Sequence, residues 1–170
     1  MSSSAVLVHV PDAETVVGEW RLQHTYDAPL GVPAHVTLLF PFVPAEELTE
    51  NVEQRLAQVL AGTEAFDAAF RRTARFPGVL YLEPDPSEPF SELTETIAAT
   101  WPEHPPYEGE IETVIPHLTV AESEDERLFE RIEADVAPQL PIAHRVREAQ
   151  LYVEDAAGRW HERRRLPLGR

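Results

Sequence analysis

The spacing of apolar positions along the chain switches between continuous runs, alternation and helical recurrence, which predicts intermixed strands and helices. Ala5 to Val10 reads as a short strand closed by Pro11. Asp12 is then the candidate N-cap of a helix carrying Val16, Val17 and Trp20 on one face. Pro29, Gly31 and Pro33 form a loop that leads into a second apolar strand, Ala34 to Leu38, ending near Phe40-Pro41-Phe42. Leu48, Val52, Leu56 and Val59 recur at helical spacing, so a helix is expected over 45–61. Phe66, Ala68 and Phe70 alternate with Asp67, Ala69 and Arg71 as in a half-buried strand. The Pro77-Gly78 turn folds that strand back onto Val79-Leu80-Tyr81-Leu82.

The second half follows a similar course. Phe90, Leu93, Ile97 and Trp101 share one face of a helix, which Pro102, Pro105 and Pro106 end, and Tyr107-Glu108-Gly109 continues the loop. Pro116 to Val120 predicts another strand, and Leu128, Ile132 and Val136 define the next amphipathic helix. Pro138 and Pro141 separate it from a strand region over 142–153. A turn at 155–158 precedes a last strand around Trp160 to Leu166. In both halves an apolar strand is followed by a linker, an amphipathic helix and further strands. A duplicated β-α-β-type unit is therefore expected, as two lobes with a common core in one domain over 1–170. A pseudo-twofold arrangement of the lobes brings corresponding strand faces to one cleft.

The two corresponding strands carry the same polar insert, His35-Val36-Thr37 and His117-Leu118-Thr119. Side chains alternate faces along a strand, so each histidine shares a face with its threonine. Seven His and eleven Thr in this chain give roughly 0.45 His-x-Thr by chance, the false-positive risk of any short motif. The plain alternative is a pair of edge-strand histidines with ordinary partners. The functional reading has a chemical reason. Opening a cyclic phosphodiester needs a base for water and an acid for the leaving oxygen, and two imidazoles meet both needs. Threonine hydroxyls donate to phosphate oxygens as charge builds.

Charge and composition narrow the ligand. Thirty acidic residues against fourteen Arg and no Lys leave a net charge of −16. Such a body repels a long polyanion, because nonspecific nucleic-acid binding rests on basic residues. A small phosphate compound held in a local pocket remains compatible. No cysteine is present, which excludes disulfides, thiolate metal sites and cysteine nucleophiles and fits a cytoplasmic protein. No apolar run approaches the ~20 residues of a membrane span, and Met1-Ser2-Ser3-Ser4 lacks the basic start of a secretory signal. Walker-type glycine loops, Gly-x-Ser-x-Gly and His-Glu-x-x-His are missing from the sequence. His9, His24, His104, His144 and His161 show no metal-ligand spacing. No metal or other cofactor, and no partner beyond a monomer's own ligand, is expected. Arg71, Arg72 and Arg75 lie in the first hairpin, with Arg72 the candidate to face a phosphate. Tyr107 is the candidate to stack on a base, and Arg163-Arg164-Arg165 reads as a solvated tail.

The chain resembles the two-histidine (2H) phosphoesterase superfamily, in particular the bacterial 2′-5′ RNA ligase family and RNA 2′,3′-cyclic phosphodiesterases. The paired His-x-Thr motifs carry the resemblance, supported by residues 34–42, 76–82, 105–107 and 116–121. The resemblance implies a bilobal α+β fold with two antiparallel sheets lining a central cleft. It implies metal-independent opening of a 2′,3′-cyclic phosphate, on a nucleotide or short RNA end, to a 2′-phosphomonoester. His35 and His117 would be the acid/base pair, and Thr37 and Thr119 the phosphate donors. A binding module without turnover and a 2′-5′ RNA ligase are the alternatives. One departure is that Ala121, followed by Glu122, stands where a basic residue often follows the second motif. This favours a small cyclic-phosphate substrate.

Overall fold

A computed structural model describes residues 2–110 and 114–170. In chain order the elements are β1 (Ser4–His9), α1 (Pro11–His24), β2 (His35–Leu39), α2 (Glu50–Ala61), β3 (Phe66–Phe76) and β4 (Val79–Asp85). They continue with α3 (Glu88–Thr100), β5 (Leu118–Glu122), α4 (Glu126–Val136), β6 (Ile142–Val146), β7 (Glu148–Glu154) and β8 (Trp160–Pro167). The strands form two four-stranded sheets, β2-β1-β7-β8 and β5-β4-β3-β6. Every pairing within them is antiparallel. The fold is α+β and bilobal.

Each His-x-Thr strand is the edge of its own sheet, and the two edges, β2 and β5, touch. Neither lobe is a contiguous half of the chain. The repeat is a β-α-β-α unit that starts one strand earlier than the motif, at β1 and again at β4. The helices cross over: α1 packs on β5 of the second sheet, and α3 packs on β2 of the first. This exchange interlocks the lobes.

The register carries the same repeat. Leu7 pairs with Thr37 and Val6 with Leu39, leaving Leu38 as an extra residue. Tyr81 pairs with Thr119 and Leu80 with Ala121, leaving Val120 as the extra one. Each motif strand thus bulges one residue after its threonine. A bulge breaks strict alternation, so Leu38 and Leu39 are both buried, as are Val120 and Ala121. The threonine faces the cleft, while the two residues after it, Leu38-Leu39 and Val120-Ala121, serve the core. The freed carbonyl of Leu38 accepts the Thr94 hydroxyl of α3 at 2.7 Å, which satisfies a buried acceptor.

Several local expectations are corrected. Asp12 does not cap α1; Val10 is the N-cap and Pro11 the first helical residue, where its missing N–H costs nothing. Helix α2 starts at Glu50, because the Thr49 hydroxyl accepts from the Val52 N–H at 3.3 Å; a separate short turn spans Ala45–Glu47. The strand region over 142–153 is two strands in different sheets, broken at Arg147. His117 precedes β5 instead of lying within it. Arg163, Arg164 and Arg165 are not a tail but part of β8, where Arg163 bonds Glu53 and the Leu48 carbonyl.

One apolar cluster runs through both lobes, including Val8, Val36, Phe70, Leu82, Phe90 and Ile132. Among the described residues, no helix is long and apolar enough to cross a membrane.

Candidate active site

A cleft of about 380 Å³ lies where the two edges meet, and His35, Thr37, His117 and Thr119 all line it. The four motif side chains proposed from sequence therefore reach one cavity. Tyr107 also lines it. Arg72 does not: it is 73% exposed on the hairpin and paired with Glu83 at 2.7 Å. Arg71 and Arg75 are likewise paired, with Asp85 and Glu133. These cations lie in ion pairs on strand and helix surfaces, outside the cleft.

The two imidazoles are held by the same device. His35 Nδ1 donates to the Pro33 carbonyl at 2.7 Å, and His117 Nδ1 donates to the Ile115 carbonyl at 2.7 Å. A carbonyl only accepts, so Nδ1 carries the hydrogen in both rings. Nε2 is left as the nitrogen that can exchange a proton. At His35 that atom accepts the Thr37 hydroxyl at 3.1 Å.

The surroundings of the two rings differ. His35 is buried, and its pKa falls to about 4; burial is the largest cause, Asp27 and the Pro33 bond oppose it, and the Arg21 and His117 charges add to it. Asp27 Oδ2 stands 4.0 Å from His35 Nε2. His117 is packed edge-on against Phe76 and Tyr81, with centroids 5.2 and 5.5 Å away. Burial lowers its pKa as well, and the bond to Ile115 raises it. Both rings are thus disposed to be neutral.

Helix α1 positions much of this. Glu14 Oε1 accepts the Ala34 N–H at 2.6 Å, just ahead of the first motif. Arg21, 1% exposed, donates from Nη2 to Asp27 and to the carbonyls of Val32 and Pro33 at 3.0–3.3 Å. Its Nη1 donates to the Thr119 carbonyl at 2.7 Å. Sequence reasoning missed Arg21 and Asp27. A signal existed: Ala13, Val17 and Arg21 recur every four residues and form the buried stripe of α1, so Arg21 lies in line with apolar positions.

The rest of the wall is aromatic and acidic. Tyr26 is 80% exposed at the rim, and Phe40 and Trp160 meet edge-on with centroids 6.0 Å apart. Gly31 lets its own loop pass close to the Trp160 backbone. Its φ is +104°, and a Cβ there would come within 2.7 Å of the Trp160 carbonyl. Tyr107 has φ 51° and ψ 37°, a left-handed conformation that costs a tyrosine about 1–2 kcal/mol. Its N–H donates to the Phe40 carbonyl at 2.6 Å, which ties this loop to the end of β2. Tyr107 thus lines the cleft, held there by that bond in spite of the backbone strain. Among the described residues, no three His, Asp or Glu converge as a metal-ligand set.

Comparison with known proteins agrees with this fold. The family model described as the 2′-5′ RNA ligase superfamily matches residues 9–158. LigT of E. coli in complex with 3′-AMP is 16% identical, with a TM-score of 0.62 over 99% of both chains. The same protein in complex with NADP+ is 17% identical, with a TM-score of 0.61 over 99% of this chain and 98% of that one. Protein TT0787 of Thermus thermophilus is 23% identical, with a TM-score of 0.63 over 98% and 97% of the two chains. No curated protein sequence gives a significant match.

Proposed function

Because the chain belongs to the 2′-5′ RNA ligase superfamily of two-histidine phosphoesterases, we propose that it opens a 2′,3′-cyclic phosphate to a 2′-phosphomonoester. The observation that carries this reading is the pair of imidazoles in one cleft, each with Nδ1 tied to a carbonyl two residues upstream. Two neutral rings with the same tautomer are two potential bases. A bound phosphate anion favours the imidazolium form of one of them, which supplies the acid. The neutral ring takes a proton from water as its oxygen attacks phosphorus. The protonated ring delivers its Nε2 proton to the departing 3′-oxygen, and the 2′-phosphate remains. Thr37 and Thr119 donate to the non-bridging oxygens as negative charge grows there. No step in this scheme draws on a cofactor. The nucleotide complexes of LigT support a nucleotide as the occupant.

Phosphorus NMR of nucleoside 2′,3′-cyclic phosphates incubated with the protein in EDTA tests the reading. Conversion to the 2′-monoester is expected with the wild type. His35→Ala and His117→Ala should each slow it by at least ~10², the scale of a positioned acid or base. Full activity in either variant overturns the mechanism. Binding without conversion by the wild type leaves a nucleotide-binding module, and joining of supplied ends would mark a 2′-5′ ligase.

A further inference from the structure

The cleft wall carries a charge imbalance that two-histidine chemistry does not need. Asp27, Glu122 and Glu154 line the cavity, and among the described residues no arginine does. The chain has no lysine to supply a cation instead. The guanidinium that bonds both motif regions, that of Arg21, is buried and engaged with Asp27 and backbone carbonyls. Arg21 and Asp27 form an ion pair at 3.0 Å and largely cancel. Glu122 and Glu154 form no ion pair among the described residues.

Their positions follow from the strands. Glu122 is the last residue of β5, three beyond Thr119, exposed, and accepts the Tyr26 N–H at 2.9 Å. Glu154 ends β7 and pairs across the sheet with Trp160. The Glu122 carboxylate thus sits at the Tyr26 backbone, and Glu154, whose carboxylate accepts the Ser3 N–H at 3.4 Å, belongs to the same wall. The site offers hydroxyls and imidazoles for one phosphate, rings for an uncharged body, and repulsion for a second phosphate.

Resting on the cyclic-phosphate reading above, we infer that the cleft selects nucleoside 2′,3′-cyclic phosphates that carry no further phosphate, with Glu122 and Glu154 as the discriminating groups. A second phosphate near either carboxylate is disfavoured by roughly tenfold per pair at the permittivity of a half-wet cleft. A 5′-phosphorylated nucleotide and an RNA end both bring such a group. The free nucleoside cyclic phosphate does not.

The test is a comparison of kcat/KM for adenosine 2′,3′-cyclic phosphate and its 5′-phosphorylated counterpart at low and high salt. A preference of about tenfold or more for the first is expected at low ionic strength, shrinking as salt screens the carboxylates. Equal use of the two at low salt, or a preference for the second, overturns the inference. In the Glu122→Gln/Glu154→Gln variant the ratio should fall by about tenfold or more. An unchanged ratio in a folded variant removes these residues from the role. If neither compound is turned over, the hydrolytic reading has failed by itself. Competition binding of adenosine 3′-phosphate against adenosine 3′,5′-bisphosphate then decides the selectivity: preference for the monophosphate sustains it, and parity or the reverse overturns it.

Discussion

Arg21 Nη1 donates to the carbonyl oxygen of Thr119 at 2.7 Å, so a side chain of the first helix holds the backbone of the second motif. The same guanidinium bonds the Pro33 carbonyl, which also accepts His35 Nδ1. One buried group therefore touches the support of both motifs. Replacing it with methionine strands several buried acceptors and Asp27, each worth about 1–3 kcal/mol when left unmade. We expect Arg21→Met to lose at least ~3 kcal/mol in urea denaturation. Arg21→Lys keeps the charge but cannot span both lobes. It should remain folded and lose about tenfold or more in kcat, with a smaller change in KM.

The depressed histidine pKa values set the direction of the pH–rate profile. Turnover needs one ring neutral and the other protonated, so kcat/KM rises through the lower pKa and falls through the upper. Burial lowers both, His35 to about 4. The kcat/KM optimum should therefore lie below pH 6.5, on the acid side of an ordinary imidazole. The optimum of kcat should lie higher, because bound phosphate favours the imidazolium. Rate profiles from mildly acidic to mildly alkaline pH check both limbs.

His35 also links stability to pH. Its folded pKa of about 4 lies below the ordinary value, so the unfolded chain takes up the proton first as pH falls. The contribution is present in full above pH 6.5 and is lost between about 6.5 and 4. Its upper bound is about 3 kcal/mol, from the shift in pKa. Urea denaturation at neutral pH and about two units below it should show a steeper loss for the wild type than for His35→Gln.

The aromatic rim makes a separate claim on binding. Stacking of a base on an aromatic ring is worth about 1–3 kcal/mol. Tyr26, at 80% exposure, has little packing to lose. Tyr26→Ala should raise KM about tenfold and leave kcat within about twofold, as steady-state kinetics on a nucleoside cyclic phosphate would show. A fall in kcat alone would place the ring nearer the chemistry.

Much of this site was legible because strands and catalytic motifs obey short-range rules. The alternation in His35-Val36-Thr37 placed two polar groups on one face, and helical recurrence located Leu56, Leu93 and Ile132 in the core. The partners of charged residues were not legible, because they depend on distant chain. Arg72 carries the same charge as Arg21, yet Glu83 holds the first on the surface while the lobe seam buries the second. Asp27 lies in a loop without periodicity, and it neighbours His35 through a fold-back in which Arg21 of α1 bonds it. The bulges at Leu38 and Val120 were hidden for another reason. An extra residue in a strand of apolar side chains leaves no mark on its hydropathy.

The motif strands border different sheets, and only their edges meet. The gap between the two imidazoles is therefore not written into either strand; it is the setting of a caliper whose jaws are the lobes. Packing changes far from the cleft, along α1 and β5 or α3 and β2, can open or close that caliper. Substitutions there would tune the size of the group gripped between the rings while leaving every reacting atom in place.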